Sequence, residues 1–199
     1  IYYSAVVSPT NVNLSVSINS ATGQMTVTPS NGVYGVFSVL VGVAAYSGAD
    51  RWDLQYVPVY VNPPAPVAVS LAPSSDAGAS DSDAVTNLNN SSAGQTLEFE
   101  IEGVAIDALV ELFADGTLIG QTTAAATTVT IVTDGATVLA DGAHQITVKQ
   151  TLLNEAVNVG NLETTVDLAG GLSAPLTLTI DTSAPAITSS PVTTAYEQG

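Results

Sequence analysis

The chain has 199 residues, 46% of them hydrophobic, enough apolar material for a core in one or two domains. Eighteen acidic residues face only Arg51 and Lys149, and the net charge of −16 excludes nucleic acid and anionic membrane surfaces as partners, because both are held by Lys and Arg. With no cysteine there is no disulfide or thiolate metal site, and no apolar run reaches the ~18 residues a membrane span needs.

Helix signals are nearly absent, and apolar residues alternate with polar ones along most of the chain. "NLSVSIN" puts Leu14, Val16 and Ile18 on one face, and "MTVTP" does the same with Met25 and Val27. "VFSVLVGVAAY" (36–46) is more continuously apolar, as expected of a central strand covered on both sides. "TLEFEIEG" aims Leu97, Phe99 and Ile101 one way and Glu98, Glu100 and Glu102 the other; "TVTIV" and "HQITVKQ" repeat the pattern. Turn signals punctuate these runs: Thr22-Gly23, Asn31-Gly32, Ser47-Gly48, Asp115-Gly116, Asp134-Gly135, Asp141-Gly142 and Gly170-Gly171. Many short strands at this spacing predict an all-β fold of tandem antiparallel β-sandwiches without significant helix.

"NPPAP" (62–66) is the sharpest boundary, because consecutive prolines cannot donate to a sheet ladder. "IDTSAP" (180–185) is a second. The chain therefore divides into 1–62, 63–184 and a tail of 185–199, with a longer loop expected around 153–172. It opens strand-like at "IYYSAVV", without initiator Met or signal peptide, and closes on "TTAYEQG". It reads as a piece of a longer polypeptide.

Four stretches, in order, carry a resemblance: "VSLAPSSDAGASDSDAVTN", "VAIDALVELFADGTLIGQT", "LADGAHQITVKQT" and "LTLTIDTSAP". Over roughly residues 67–185 the chain resembles the bacterial immunoglobulin-like repeats of large secreted adhesins and surface proteins. "SINSATGQMTVTPSNGVYGVFSVLVGV" is similar to bacterial cadherin-like modules, lacking their opening strands, and "PAITSSPVTTAYEQG" resembles the first strand of a further module. The resemblance implies an extracellular or cell-surface bacterial protein. It also implies Ca²⁺ at junctions between modules, held by loop aspartates; on this chain the matching positions are Asp76, Asp81, Asp83 and Asp181. Two departures stand out: Ala77 replaces a hydroxyl residue, and Asn62 stands where an Asp is expected.

The residues themselves leave each site open to two readings. Ca²⁺ takes six to eight oxygens from flexible loops, and Asp81 and Asp83, two apart, could aim at one ion, with Asp76 joining across a turn at Gly78. The other reading is a solvated loop whose Asp and Ser bond their own backbone. Asp181 could cap the exit backbone or share an ion. The Glu98, Glu100 and Glu102 stripe reads as a solvated face, and Asp115, Asp134 and Asp141 as turn residues. His144, the only histidine, sits beside Asp141 without a nucleophile or second His, and Lys149 should face solvent rather than form an isopeptide bond. Trp52, with Tyr56 and Tyr60, could stack on sugars or fill a strand end.

The expected function is non-catalytic: a spacer or stalk segment in an adhesive protein, possible Ca²⁺ stiffening included, whose partners are neighbouring modules or subunits and surface ligands. The alternatives are a fibre subunit assembled by β-strand donation through the tail and a carbohydrate-binding accessory module.

Overall fold

The computed structural model describes residues 1–8, 14–77, 80–159 and 162–184. Within them the chain is all-β, with fourteen strands and no helix. The tail 185–199 and Gly78 lie outside the described residues.

β1 (Tyr2–Ser8), β4 (Gly35–Ala44) and β5 (Asp53–Val61) form an antiparallel sheet in the order β1-β4-β5. A hairpin of β2 (Leu14–Ile18) and β3 (Met25–Pro29) packs on one face of it. Val39 is fully buried and Leu14 nearly so, and the Tyr3 ring presses on the hairpin turn at Gly23, whose φ of +75° suits glycine. The apolar run of β4 is central in its sheet but covered on both sides only in part: Val39 is sealed, while Leu40 and Val41 are half-buried. Among the described residues no complete layer lies above its second face.

The remaining strands make a sandwich. One layer, in the order β11-β8-β6, comes from β6 (Ala68–Leu71), β8 (Glu98–Glu102) and β11 (Thr128–Val132). The other, in the order β10-β9-β12-β14-β7, comes from β7 (Val85–Thr86), β9 (Leu109–Ala114), β10 (Thr117–Thr123), β12 (Gly142–Val159) and β14 (Leu176–Ile180). Phe99 and Ile101 from one layer meet Leu112, Ile146 and Leu178 from the other, all at 0% exposure. Each such side chain contributes about 1.5–3 kcal/mol relative to exposure. The pairing of β7 with β14 is parallel, with Thr179 opposite Val85.

Two features differ from the sequence reading. Residues 153–172 are not a loop: β12 runs on past the sandwich and pairs with β13 (Leu162–Leu172). Register slips between Lys149 and Thr151 and between Leu152 and Glu155, with Asn154 at φ 57°, break the alternation that would have revealed the strand. Gly170-Gly171 is likewise not a turn but part of β13, because another backbone passes there. A Cβ on Gly170 would sit 2.7 Å from the Pro64 carbonyl oxygen and 2.9 Å from that of Pro63. The "NPPAP" segment is therefore packed, with Pro63 and Pro66 buried.

Candidate functional site

Asp76 closes the acidic loop. Its backbone N–H donates to the Ala72 carbonyl at 3.0 Å, and its Oδ2 accepts from the Ala84 N–H at 3.0 Å. That bond holds Ala84 at φ 55°, a left-handed conformation that costs a β-carbon residue about 1–2 kcal/mol. Asp76 is 8% exposed, and among the described residues its second oxygen, Oδ1, is buried with no hydrogen-bond partner. A buried carboxylate oxygen is normally satisfied, so this atom is anomalous. Asp83 Oδ1 accepts from the Val85 N–H at 3.2 Å, and Ser80 and Ser82 contact each other through their hydroxyls. Asp81 and Asp83 are exposed.

Asp181 does not join them. The Asp181 N–H donates to the Thr86 carbonyl at 2.9 Å, which sets Asp181 beside Thr86, past the left-handed turn at Ala84 that separates it from Asp83. Asp181 Oδ1 instead accepts from the Ser183 N–H at 3.0 Å. Among the described residues no group of three or more Asp, Glu or His side chains gathers to hold an ion. Of the four carboxylates singled out in the sequence, Asp76 alone offers a buried free oxygen, short of the six to eight that Ca²⁺ takes.

The turn aspartates do more than shape turns. Asp141 Oδ1 accepts from the Thr182 hydroxyl at 2.7 Å and the Thr182 N–H at 3.1 Å, pinning the chain exit; these bonds, the hydroxyl first, hold its carboxyl below 3.8. Asp134 Oδ1 accepts from the N–H groups of Ala136 and Thr137, which bring its pKa down to about 2, and from the amide of fully buried Asn90 at 2.7 Å. Asp115 accepts from the Gln145 N–H at 2.8 Å, the main cause of its lowered pKa, and pairs with His144 Nδ1 at 2.7 Å. His144 thus pairs with Asp115, not with its sequence neighbour Asp141. Its Nε2 lies 2.8 Å from the Ala140 carbonyl. Partial burial disfavours the imidazolium, but acceptors on both ring nitrogens outweigh it and raise the pKa above 6.5. Both ring nitrogens are therefore taken up by oxygens of the chain itself.

At the opposite end of the sandwich, Gln150 is fully buried and ties three segments together. Its Oε1 accepts from the Ala105 N–H at 2.6 Å, and its Nε2 donates to the Pro64 carbonyl at 2.7 Å and to the Gly103 carbonyl at 3.4 Å. Beyond it, Leu152 and Leu168 of the long hairpin bury with Ala105 and Ala108, and Tyr34, just ahead of β4, and Val36 of β4 pack against them. The hairpin thereby bridges the two sets of strands. Its only sequence signal was the apolar content of "TLLNEAVNV" and "TTVDLAGGL", which the bulges disguised.

Lys149 faces outward, opposite Glu111. On the outer side of β8, Glu100 stands between Ser70 and Thr130 and Glu102 between Ala68 and Thr128, while Glu98 accepts from the Ser74 hydroxyl at 2.8 Å. Trp52 is half-buried: it lies over Gly42, where a Cβ would meet its ring at 2.9 Å, and packs edge-on to Tyr2 with centroids 5.9 Å apart. Tyr56 and Tyr60 stay exposed on the same strand face. Compared with protein-family models and with curated proteins, the chain matches none.

Proposed function

We propose that this chain is a non-catalytic spacer segment of an extracellular bacterial adhesive protein, its two sets of strands being a partial cadherin-like module over 1–62 and an immunoglobulin-like module over 63–184. One observation carries the reading. The joint between the strand sets is filled by the β12–β13 hairpin and by Gln150, bonded to the Pro64 carbonyl of the connecting segment. A spacer transmits reach only if its joints resist bending, and a buried, hydrogen-bonded joint does so without a long flexible linker. The motif resemblance over residues 67–185 supplies the extracellular and adhesive terms. Calcium is kept as a secondary element at Asp76, supported by the unpartnered Oδ1.

Small-angle X-ray scattering tests the reading. A spacer gives one fixed elongated profile, matched by a single conformation and unchanged by salt. A profile that needs an ensemble of hinge angles would sink it. The carbohydrate-binding alternative retains one supporting observation, the half-exposed Trp52 over Gly42. Glycan retention lost with Trp52→Ala would move it forward.

A further inference from the structure

We propose that the outer face of the β1-β4-β5 sheet docks against the same face of a second copy of this chain. This goes beyond the spacer reading and does not depend on it: a strictly monomeric spacer leaves that reading intact and removes this one.

Strand parity defines the face. Tyr3 and Val39 point toward the β2–β3 hairpin, so Val6, Leu40, Leu54, Tyr56 and Tyr60 point away from it. Val6, Leu54, Tyr56 and Tyr60 are 48%, 58%, 42% and 49% exposed. The β12–β13 hairpin covers only the end of this face at Val36.

Charge sets it apart. The chain has eighteen acidic residues, yet none falls on the outward positions of β4 or β5 or at Tyr2, Ser4 and Val6 of β1. The outer face of β8 shows the contrast, with Glu98, Glu100 and Glu102. Acidic stripes keep sheets apart, and this sheet lacks one. On a molecule of net charge −16 an uncharged patch is where two copies meet without carboxylates opposed. A basic partner would be drawn elsewhere.

Relief and area fit the same occupant. Trp52, laid on Gly42, and Leu54 border a dent of about 120 Å³ floored by Ser4, Val6 and Leu40, room for one apolar side chain of a facing copy. Pro58, opposite Ser38 in the edge strand, has no N–H to offer, which interrupts strand-to-strand pairing along that edge and favours a face-to-face contact. Three strands about 4.8 Å apart and about 30 Å long present about 430 Å² per copy, or about 900 Å² for a pair. That falls in the range of weak, transient interfaces, below about 1,200 Å². The expected state is a reversible, concentration-dependent dimer that gains strength when modules are displayed in multiple copies.

Sedimentation equilibrium from low micromolar to near-millimolar protein, at low and at physiological salt, tests this. The expected result is a weight-average mass that climbs toward twice the monomer with concentration and climbs further with salt, because screening removes the repulsion between two polyanions. Tyr56→Lys should abolish the rise. Leu118→Lys, at an equally exposed apolar residue of β10, should leave it unchanged. A constant monomer mass at all concentrations overturns the proposal. So does self-association that survives Tyr56→Lys in a folded variant, which would place the contact elsewhere. A monomer in which a neutral polysaccharide instead shields Trp52 from a fluorescence quencher assigns the surface to a glycan and overturns it as well.

Discussion

Gln150 donates its side-chain amide to the Pro64 carbonyl at 2.7 Å, across 86 residues of sequence. The same side chain accepts from Ala105 N–H, so one residue ties a strand, the loop after β8 and the segment entering β6. Gln150→Leu keeps the volume and removes every bond, leaving the buried Ala105 N–H and the Pro64 and Gly103 carbonyls without this partner. The expected loss is about 2–4 kcal/mol. For a chain of this size that lowers the melting midpoint by about 5–15 °C, read by calorimetry. A midpoint within a degree of the parent would show that the joint draws nothing from Gln150.

Gly170 and Gly171 make a paired test of the same joint. A Cβ on Gly170 would meet the Pro64 and Pro63 oxygens at 2.7 and 2.9 Å, and backbone on both sides cannot swing away. On Gly171 the nearest neighbour is the Ala65 Cβ, at an ordinary 3.7 Å. Gly170→Ala should cost about 1–3 kcal/mol through overpacking, whereas Gly171→Ala should be neutral or slightly stabilising. Equal effects from the two would argue that the connecting segment does not pass where described. Urea unfolding of both variants decides it.

These residues also mark where the sequence was legible. The strands of the sandwich could be read because Leu97, Phe99 and Ile101 alternate cleanly with glutamates, and each is fully buried. The β12–β13 hairpin could not, since two bulges shift its apolar phase and a Gly-Gly pair imitates a turn. Asp115-Gly116 was a true turn signal, both residues having positive φ. Its carboxylate's reach to His144, 29 residues on, is tertiary and leaves no local trace. Asp134 likewise looked like a turn residue alone, although its Oδ1 serves Asn90, 44 residues earlier. The four carboxylates proposed for an ion were chosen by motif, and motif says nothing about which oxygen ends up buried.

The His144–Asp115 pair predicts a pH signature. The folded pKa of His144 lies above 6.5, so its stabilisation is complete below about pH 6 and fades as pH rises through the folded value. Asp115 has a lowered pKa, chiefly through the Gln145 N–H, so its contribution is present above 3.8 and fades as pH falls. The gap in melting midpoint between the parent and His144→Gln should therefore be widest near pH 5 and close toward pH 9. Comparing the two proteins cancels the change in overall repulsion that titrating eighteen carboxylates brings. A gap that widens above pH 7 would contradict the pairing.

Asn90 and Asp134 predict a large local effect with no functional residue involved. Asn90 is fully buried, donates to Asp134 Oδ1 and the Thr137 carbonyl, and accepts from the Gly135 N–H at 2.8 Å. Its φ of 55° is one that asparagine tolerates better than most residues. Asn90→Ala should cost about 2–4 kcal/mol by stranding three partners. Asn90→Asp places a second carboxylate against Asp134 and should be at least as damaging at neutral pH. Its deficit should shrink below pH 4, where that repulsion is relieved, a recovery that Asn90→Ala lacks. Thermal melts at pH 7 and pH 3 separate the two.

Asp76 supplies the sharpest test of the ion. Its Oδ2 bond to the Ala84 N–H is a structural closure, while Oδ1 is buried and unpartnered. If Ca²⁺ occupies this loop, millimolar Ca²⁺ after chelation should raise the midpoint. At 100 times Kd the linkage is about 2.7 kcal/mol, a shift of about 5–10 °C. Sodium at matched ionic strength should not reproduce it, because exposed carboxylates respond to any salt. Asp76→Asn keeps the shape and the Ala84 acceptor but removes the charge, and should abolish the calcium shift. Asp181→Asn, at a carboxylate that instead accepts from the Ser183 N–H, should leave it intact. A parent protein indifferent to Ca²⁺ would leave Asp76 as a structural carboxylate. Asp76→Asn should then be close to neutral, because the amide oxygen keeps the Ala84 N–H bond and Oδ1 had no bond to lose.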